Sequence, residues 1–224
     1  MTDSAVLIVA KAPVPGLAKT RLATRYGPRG AAALAAAALL DTLRTARQVA
    51  HTEVIVAYTG DLGASYRADD LLAALRDVTL LPQRGDGFAQ RLTNAHLDAA
   101  ATGAVRVLQI GMDTPQVRVD DLEGGLSALE GGRSCVLGEA CDGGWWAFGT
   151  VRAQGARALA TVPMSRPDTG RLTRDALAGA GLTVHRLATM SDVDVPDDVD
   201  AVARACPDGS EFACTAEHLG TVVR

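Results

Sequence analysis

From position 5 onward, short apolar runs alternate with longer stretches in which apolar residues recur every three or four positions. The short runs have strand length and the long ones follow the helical repeat, so the alternation predicts strand–helix–strand units. The expected strands cover residues 6–10, 53–58, 78–81, 105–110, 134–137, 145–149 and 183–187. The expected helices cover 29–50, 65–76, 87–101, 119–129, 169–180 and 196–205. Pro196 suits a first helical turn, and Asp197 and Asp198 behind it suit the positive end of the helix dipole. Runs such as VLIVA and VRVLQI are apolar without interruption, which predicts an α/β fold with a mostly parallel central sheet covered on both faces.

A chain of 224 residues with no repeat and no low-complexity linker reads as one domain, residues 1–224. At this size roughly 70% of the unfolded surface is buried, so neither disulfide nor structural metal is needed to hold a core. The net charge of −4 leaves no overall basic field for nucleic acid or anionic lipid. No apolar stretch approaches the ~18 residues of a membrane span, and the N-terminus lacks the basic segment of a signal peptide. Cys135, Cys141, Cys206 and Cys214 form no C-x-x-C pair. These features lead us to expect reduced thiols and a cytoplasmic protein with no nucleic-acid or membrane partner.

In buried parallel sheets ligands bind beyond the carboxyl ends of the strands, so the segments after each strand carry the chemistry. The first strand runs into Lys11-Ala12-Pro13-Val14-Pro15-Gly16-Leu17-Ala18-Lys19-Thr20-Arg21. Of 22 basic residues only Lys11 and Lys19 are lysines; the rest are arginines. Two ammonium groups in a loop stiffened by Pro13, Pro15 and Gly16 suit a polyphosphate, although a solvated turn has the same composition. After the fourth strand, Asp113 stands where a carboxylate can reach a divalent metal bridging two phosphates, or can cap the turn that Pro115 stiffens. Asp192 and Asp194 alternate in an extended stretch before a helix and project the same way, so either can complete a Mg²⁺ or Mn²⁺ shell with Asp113. Asp142-Gly143-Gly144-Trp145-Trp146 offers a tight backbone, aromatic surface and one carboxylate, or a plain hairpin turn before core tryptophans. Gln83-Arg84-Gly85-Asp86-Gly87, followed by Arg91, can meet a base or ribose or can simply start a helix.

Negative signals narrow the field. G-x-x-x-x-G-K-[ST] is absent, no G-x-G-x-x-G follows the first strand, and no histidine is spaced to form a catalytic triad or H-E-x-x-H.

Five motifs in order resemble the nucleotide-diphospho-sugar transferase superfamily, with its glycosyltransferase-A-type fold. They are K-A-P-V-P-G-L-A-K-T-R-L (residues 11–22), I-G-M-D-T-P (110–115), D-G-G-W-W (142–146), V-P-M-S-R-P-D-T-G (162–170) and D-V-D-V-P-D-D-V (192–199). Within the superfamily the chain is similar to a bacterial branch designated only as glycosyltransferase-like. The A-K-T-R-L loop resembles that of guanylyltransferases acting on phospho-acids, and V-D-V-P-D-D resembles the V-D-T-P-E-D of cytidylyltransferases.

This resemblance implies a nucleotide site across the carboxyl ends of the first strands, bordered by Ala10, Ala12, Pro13, Gly16 and Met112; by their place after the third strand, Gly85, Asp86, Gly87 and Arg91 are expected to border it as well. Lys11, Lys19 and Arg21 would act on the phosphates. Asp113 would replace the metal-binding D-x-D of sugar-transferring members, whose third position is here Pro115. Asp194, or its neighbour Asp192, would supply the second metal ligand. Asp142, Gly143, Gly144, Trp145, Ser165, Arg166 and Thr169 would border a small-molecule acceptor. The expected activity is transfer of a nucleotidyl group from a nucleoside triphosphate to a phosphorylated acceptor, such as a sugar phosphate, phospho-acid or phosphonate, with release of pyrophosphate. The alternatives are glycosyl transfer from a nucleotide-sugar and nucleotide binding without catalysis.

Overall fold

The structure is a computed structural model that describes residues 3–129 and 131–222. Its elements follow the chain as β1 (Ser4–Lys11), α1 (Ala23–Ala46), β2 (Thr52–Thr59), α2 (Ala68–Ala74), β3 (Thr79–Pro82), α3 (Phe88–Ala101), β4 (Arg106–Gly111), α4 (Val119–Ser127) and β5 (Ser134–Glu139). They continue as β6 (Trp145–Val151), α5 (Ala156–Leu159), α6 (Thr169–Gly179), β7 (Thr183–Arg186), α7 (Pro196–Ala205) and α8 (Glu211–Val222). The seven strands form one sheet in the order β3-β2-β1-β4-β6-β5-β7. Pairings β2–β3, β1–β2, β1–β4 and β5–β7 are parallel, whereas β6 runs antiparallel to both β4 and β5. The sheet is therefore mixed and covered on both sides, as the uninterrupted apolar runs require.

Alternation along β1 assigns the two layers. Val6 and Ile8 pack with Ala35, Ala36 and Leu39 of α1 and with Leu122 and Leu126 of α4. Ala5 and Leu7 pack with Ala95 and Ala99 of α3. Beyond the middle of the sheet, Leu137 of β5 and Phe148 of β6 meet Leu177 of α6. Truncating such a fully buried aromatic as Phe148 costs roughly 3–5 kcal/mol.

Helix boundaries differ from expectation at punctuating residues. α1 opens with a short turn from Ala23, Gly27 at φ 67° kinks it, and Pro28 begins its main run. It ends at Ala46 rather than at residue 50, and His51 at φ 54° turns the chain into β2. Within residues 65–76, Arg67 takes a left-handed conformation, φ 58°, and confines the helix to α2. No motif marked the tail, yet it forms α8. Buried Asp41 of α1 accepts hydrogen bonds from the Ser210 hydroxyl at 2.7 Å and from the backbone N–H groups of Glu211 and Phe212 at 3.0 and 2.8 Å. All four cysteines are free thiols, and no helix among the described residues is long and apolar enough to cross a membrane.

Candidate active site

The chain leaves β1 toward β2 and β3 on one side and returns to β4 on the other, so the switch point of the sheet lies between β1 and β4. A cleft of about 660 Å³ opens there, lined by the ends of β1 and β4, the loop after β1, the start of α3, the β5–β6 hairpin and the segment before α7.

The loop after β1 is pinned from below. Ala12 and Ala18 are buried, the Ala12 N–H donates to Thr59 O at 2.8 Å, and Tyr66 N–H donates to Pro13 O at 2.9 Å. Gly16, at φ 80°, and Lys19, at φ 45°, supply the left-handed turns. Lys19 is thereby directed inward, 16% exposed, with Nζ 2.8 Å from Asp113 Oδ2. Burial alone would depress its pKa, but the charge of Asp113, reinforced by Asp194 and Asp192, outweighs burial and raises it above the usual value. Lys11 lines the cleft from an exposed position, and Arg21 Nη1 pairs with Asp194 Oδ2 across solvent-exposed surface.

Asp113 follows β4 through Gly111, where an added Cβ would stand 2.4 Å from Asp113 Oδ1, so glycine makes room for the carboxylate. Val193 N–H donates to Asp113 O at 2.9 Å, which draws the segment before α7 onto the end of β4. This tie explains how acids nearly eighty positions apart come together. Asp192 is partly buried. Burial pushes its pKa up to about 6, and the negative charges of Asp113 and Asp142 add to the effect. Asp194 instead faces Arg21, and its N–H donates to Asp198 Oδ2 at 2.9 Å. Among the described residues no three carboxylate, imidazole or thiolate groups converge tightly enough to hold a metal ion by themselves. The oxygen donors of Asp113 and Asp192, mutually repelling and partly buried, nevertheless fit a hard divalent cation that takes its remaining ligands from phosphate and water.

The β5–β6 hairpin and the start of α6 form the opposite wall. Asp142 Oδ1 accepts from Gly144 N–H at 2.7 Å, and Gly170 N–H donates to Gly143 O at 2.7 Å. Trp145 lines the cleft half-buried, while Trp146 is buried and donates from Nε1 to Ala188 O at 2.9 Å. Ser165 is held at φ 59°, a second left-handed non-glycine residue in the lining. Arg166 also lines the cleft and pairs with Asp168, with Nε 2.9 Å from Oδ1. The buried Thr169 hydroxyl accepts from Arg166 N–H and donates to Pro163 O at 2.9 Å, so it fastens this loop.

Of the residues singled out from the sequence, Ala10, Lys11, Lys19, Arg21, Arg91, Met112, Asp113, Asp142, Gly144, Trp145, Ser165, Arg166, Thr169, Asp192 and Asp194 line the cleft. Ala12, Pro13, Gly16, Gly85, Asp86, Gly87 and Gly143 lie outside that lining. Ala12 and Pro13 are buried in the loop base, and Gly16 provides its turn. Gly85 and Gly87 adopt φ values of 120° and 85° ahead of α3, and exposed Asp86 donates its N–H to Gln90 Oε1 at 2.8 Å. Phe88 and Leu17 went unnoticed in the sequence; both line the cleft, 44% and 61% exposed. The Arg91 guanidinium lies 5.8 Å from the Phe88 ring centre. The available signal was an aromatic residue directly after an R-G-D-G turn. Gln83 donates from Nε2 to both Ala10 O and Ala57 O at 2.9 Å, which fixes its amide at the cleft edge.

The profile of a family described as "Uncharacterized protein conserved in bacteria (DUF2064)" matches residues 42–166. No curated protein matches the sequence. Among solved structures, a protein from Desulfovibrio desulfuricans G20, provisionally named a nucleotide-diphospho-sugar transferase, is 24% identical over 100% of this chain and 98% of its own, with a TM-score of 0.87. A cytidylyltransferase from Leptospira borgpetersenii serovar Hardjo-bovis (strain JB197) is 12% identical over 99% of this chain and 95% of its own, with a TM-score of 0.58. CMP:2-keto-3-deoxy-manno-octonic acid synthetase, solved with CTP, is 15% identical over 96% of this chain and 99% of its own, with a TM-score of 0.55. These likenesses show the fold, which this chain shares with those proteins and which the five motifs implied.

Proposed function

Since the chain belongs to the DUF2064 family, whose profile covers more than half of it, and shares this superfamily fold, we propose that it is a transferase using a nucleotide donor, specifically a metal-dependent nucleotidyltransferase. One observation carries the reading: both lysines of the chain line the cleft at the sheet's switch point, one of them against the carboxylate at the end of β4. In a chain of net charge −4, that cleft gathers Lys11, Lys19, Arg21, Arg91 and Arg166 against four aspartates. Such a charge pattern suits a polyphosphate that brings its own cation.

In this mechanism the nucleoside triphosphate lies across the ends of β1 and β4, with its base toward Gln83 and Phe88. Lys11, Lys19 and Arg21 neutralise the pyrophosphate as it leaves. The acceptor lies against Trp145, Ser165 and Arg166, and its anionic oxygen attacks the α-phosphorus. An acceptor phosphate is already ionised near neutral pH, so no general base is needed, in keeping with a cleft lining that contains no histidine among the described residues. Asp113 and Asp192 would hold Mg²⁺ or Mn²⁺, which when bound neutralises charge between the α-phosphate and the acceptor. Positioning and charge neutralisation supply the rate.

The provisional name of the Desulfovibrio desulfuricans protein favours a second reading, glycosyl transfer from a nucleotide-sugar. One assay separates the two. The protein is incubated with nucleoside triphosphates and a panel of phosphorylated acceptors, with Mg²⁺ or Mn²⁺, and pyrophosphate is followed. Pyrophosphate formation supports nucleotidyl transfer. Release of nucleoside diphosphate from a nucleotide-sugar, with no pyrophosphate from any triphosphate, supports the second reading.

A further inference from the structure

Lys19 and Asp113 stand ninety-four positions apart in sequence and form the most enclosed ion pair in the cleft, with side-chain exposures of 16% and 31%. The neighbouring pair, Arg21–Asp194, is 70% and 41% exposed and is screened by water. Beneath Lys19 and Asp113 lies a void of only about 10 Å³, bounded by Leu22, Leu34, Met112, Val193 and Phe212. The ammonium therefore cannot retreat into the fold. The loop cannot withdraw with it either, because Ala18 and Leu22 on each side are buried at 3% and 0% exposure. The side chain can leave Asp113 only by rotating toward the open cleft.

We infer that Lys19 is a placeholder cation: it occupies Asp113 until a polyphosphate offers the ammonium a new partner, so that divalent metal and polyphosphate bind together rather than in sequence. The inference rests on the metal site proposed above. Asp113 and Asp192 repel each other, and the ammonium of Lys19, bonded to Asp113, offsets that repulsion. A divalent ion arriving alone would face an ammonium already on its ligand oxygen. A polyphosphate arriving alone would have to draw Lys19 away and leave two carboxylates unbalanced beside its own negative charge. Arriving as a complex, the metal takes over the carboxylates while the phosphate oxygens take over the ammonium, and charge stays matched throughout.

The test compares wild-type protein with Lys19→Met and Lys19→Gln, which remove the charge and keep most of the side chain. Circular dichroism melts verify folding. Binding of Mn²⁺ alone is read from the loss of the free-ion paramagnetic resonance signal. The expected result is that both variants bind Mn²⁺ alone at least tenfold more tightly than wild type. Affinity equal to or weaker than wild type in either folded variant overturns the inference. In thermal-shift measurements on wild type, Mn²⁺ plus inorganic tripolyphosphate should raise the melting temperature by more than the two separate shifts combined. Additive shifts would also overturn it. Adding Asp113→Asn to Lys19→Met should abolish the gained Mn²⁺ affinity. If the gain survives, the metal lies elsewhere and the proposed metal site fails with the exchange; if it is lost, the site stands.

Discussion

A Cβ added to Gly143 would stand 1.9 Å from the carbonyl oxygen of Pro167. The hairpin between β5 and β6 thus meets the loop before α6 backbone to backbone, with no space for a side chain. Gly143 also holds φ at 87°, so a substitution meets a clash and torsional strain together. We expect Gly143→Ala to cost about 3 kcal/mol or more and to lower Tm by roughly 6–12 °C. Calorimetry of the variant checks this. A Cβ on Gly144 would meet Asp142 Oδ1 at 3.0 Å, a softer contact at a residue without positive φ, so Gly144→Ala is expected to cost less.

Two groups pull acid stability in opposite directions. His96 is fully buried, with Nε2 3.0 Å from Thr150 Oγ1, and burial depresses its pKa from 6.5 to about 4 despite contact with Gln109. Between these pH values the unfolded chain binds a proton that the folded chain refuses. The contribution present above pH 6.5 is lost as pH falls toward 4, by up to about 3 kcal/mol. Asp192, raised from 3.8 to about 6, has the reverse sign: its contribution is full below pH 3.8 and is lost as pH rises through 6. Urea unfolding across pH 4–8 separates the two. Asp192→Asn should gain stability over wild type above pH 6, by less than ~2 kcal/mol because the group is partly open to water. His96→Gln, less stable at neutral pH, should lose the decline between pH 6.5 and 4.

Asp41 satisfies three donors at the start of α8 from a site 4% exposed. Asp41→Ala leaves them without an acceptor and should cost about 2–4 kcal/mol. Amide exchange should accelerate in α8 before it does in the strands. Uniform acceleration throughout the protein would contradict the local role.

The cations that the proposed function sets against the phosphates should differ in weight. Lys19→Ala removes the enclosed charge and should lower kcat/KM for pyrophosphate release by about 10²–10³. Arg21→Ala removes an exposed one and should lower it by ~10-fold or less. Steady-state kinetics on both variants, at matched metal concentration, give the comparison.

The strand pattern was legible because burial on both faces leaves uninterrupted apolar runs, and all seven expected strands match observed ones to within a few residues. The helix α7 starts and ends where expected because Pro196 marks its first turn. The extent of α2 was hidden by Arg67, a left-handed residue that no residue type announces, and α1 ends at Ala46 with no glycine or proline to mark the break. The same applies at the site. Lys19, Asp113 and Asp192 stood out by type and place, but their mutual geometry depends on the Val193–Asp113 backbone bond, which leaves no local trace in sequence. Gly143 looked like a ligand-facing residue and is a packing contact instead, since a glycine that admits a ligand and one that admits a carbonyl read alike. Phe212 gave no signal because its role under Lys19 and Asp113 arises only when α8 docks.

That docking has a bearing on synthesis. β1, its lysine loop and β4 leave the ribosome well before residue 212, so the motifs that name the cleft are complete while its underside is still open. Until α8 arrives, Leu22, Leu34 and Val193 lack their aromatic cover, and the floor under Lys19 and Asp113 is open. A chain ending before its eighth helix would therefore carry every motif of the cleft while lacking the Phe212 floor beneath Lys19 and Asp113.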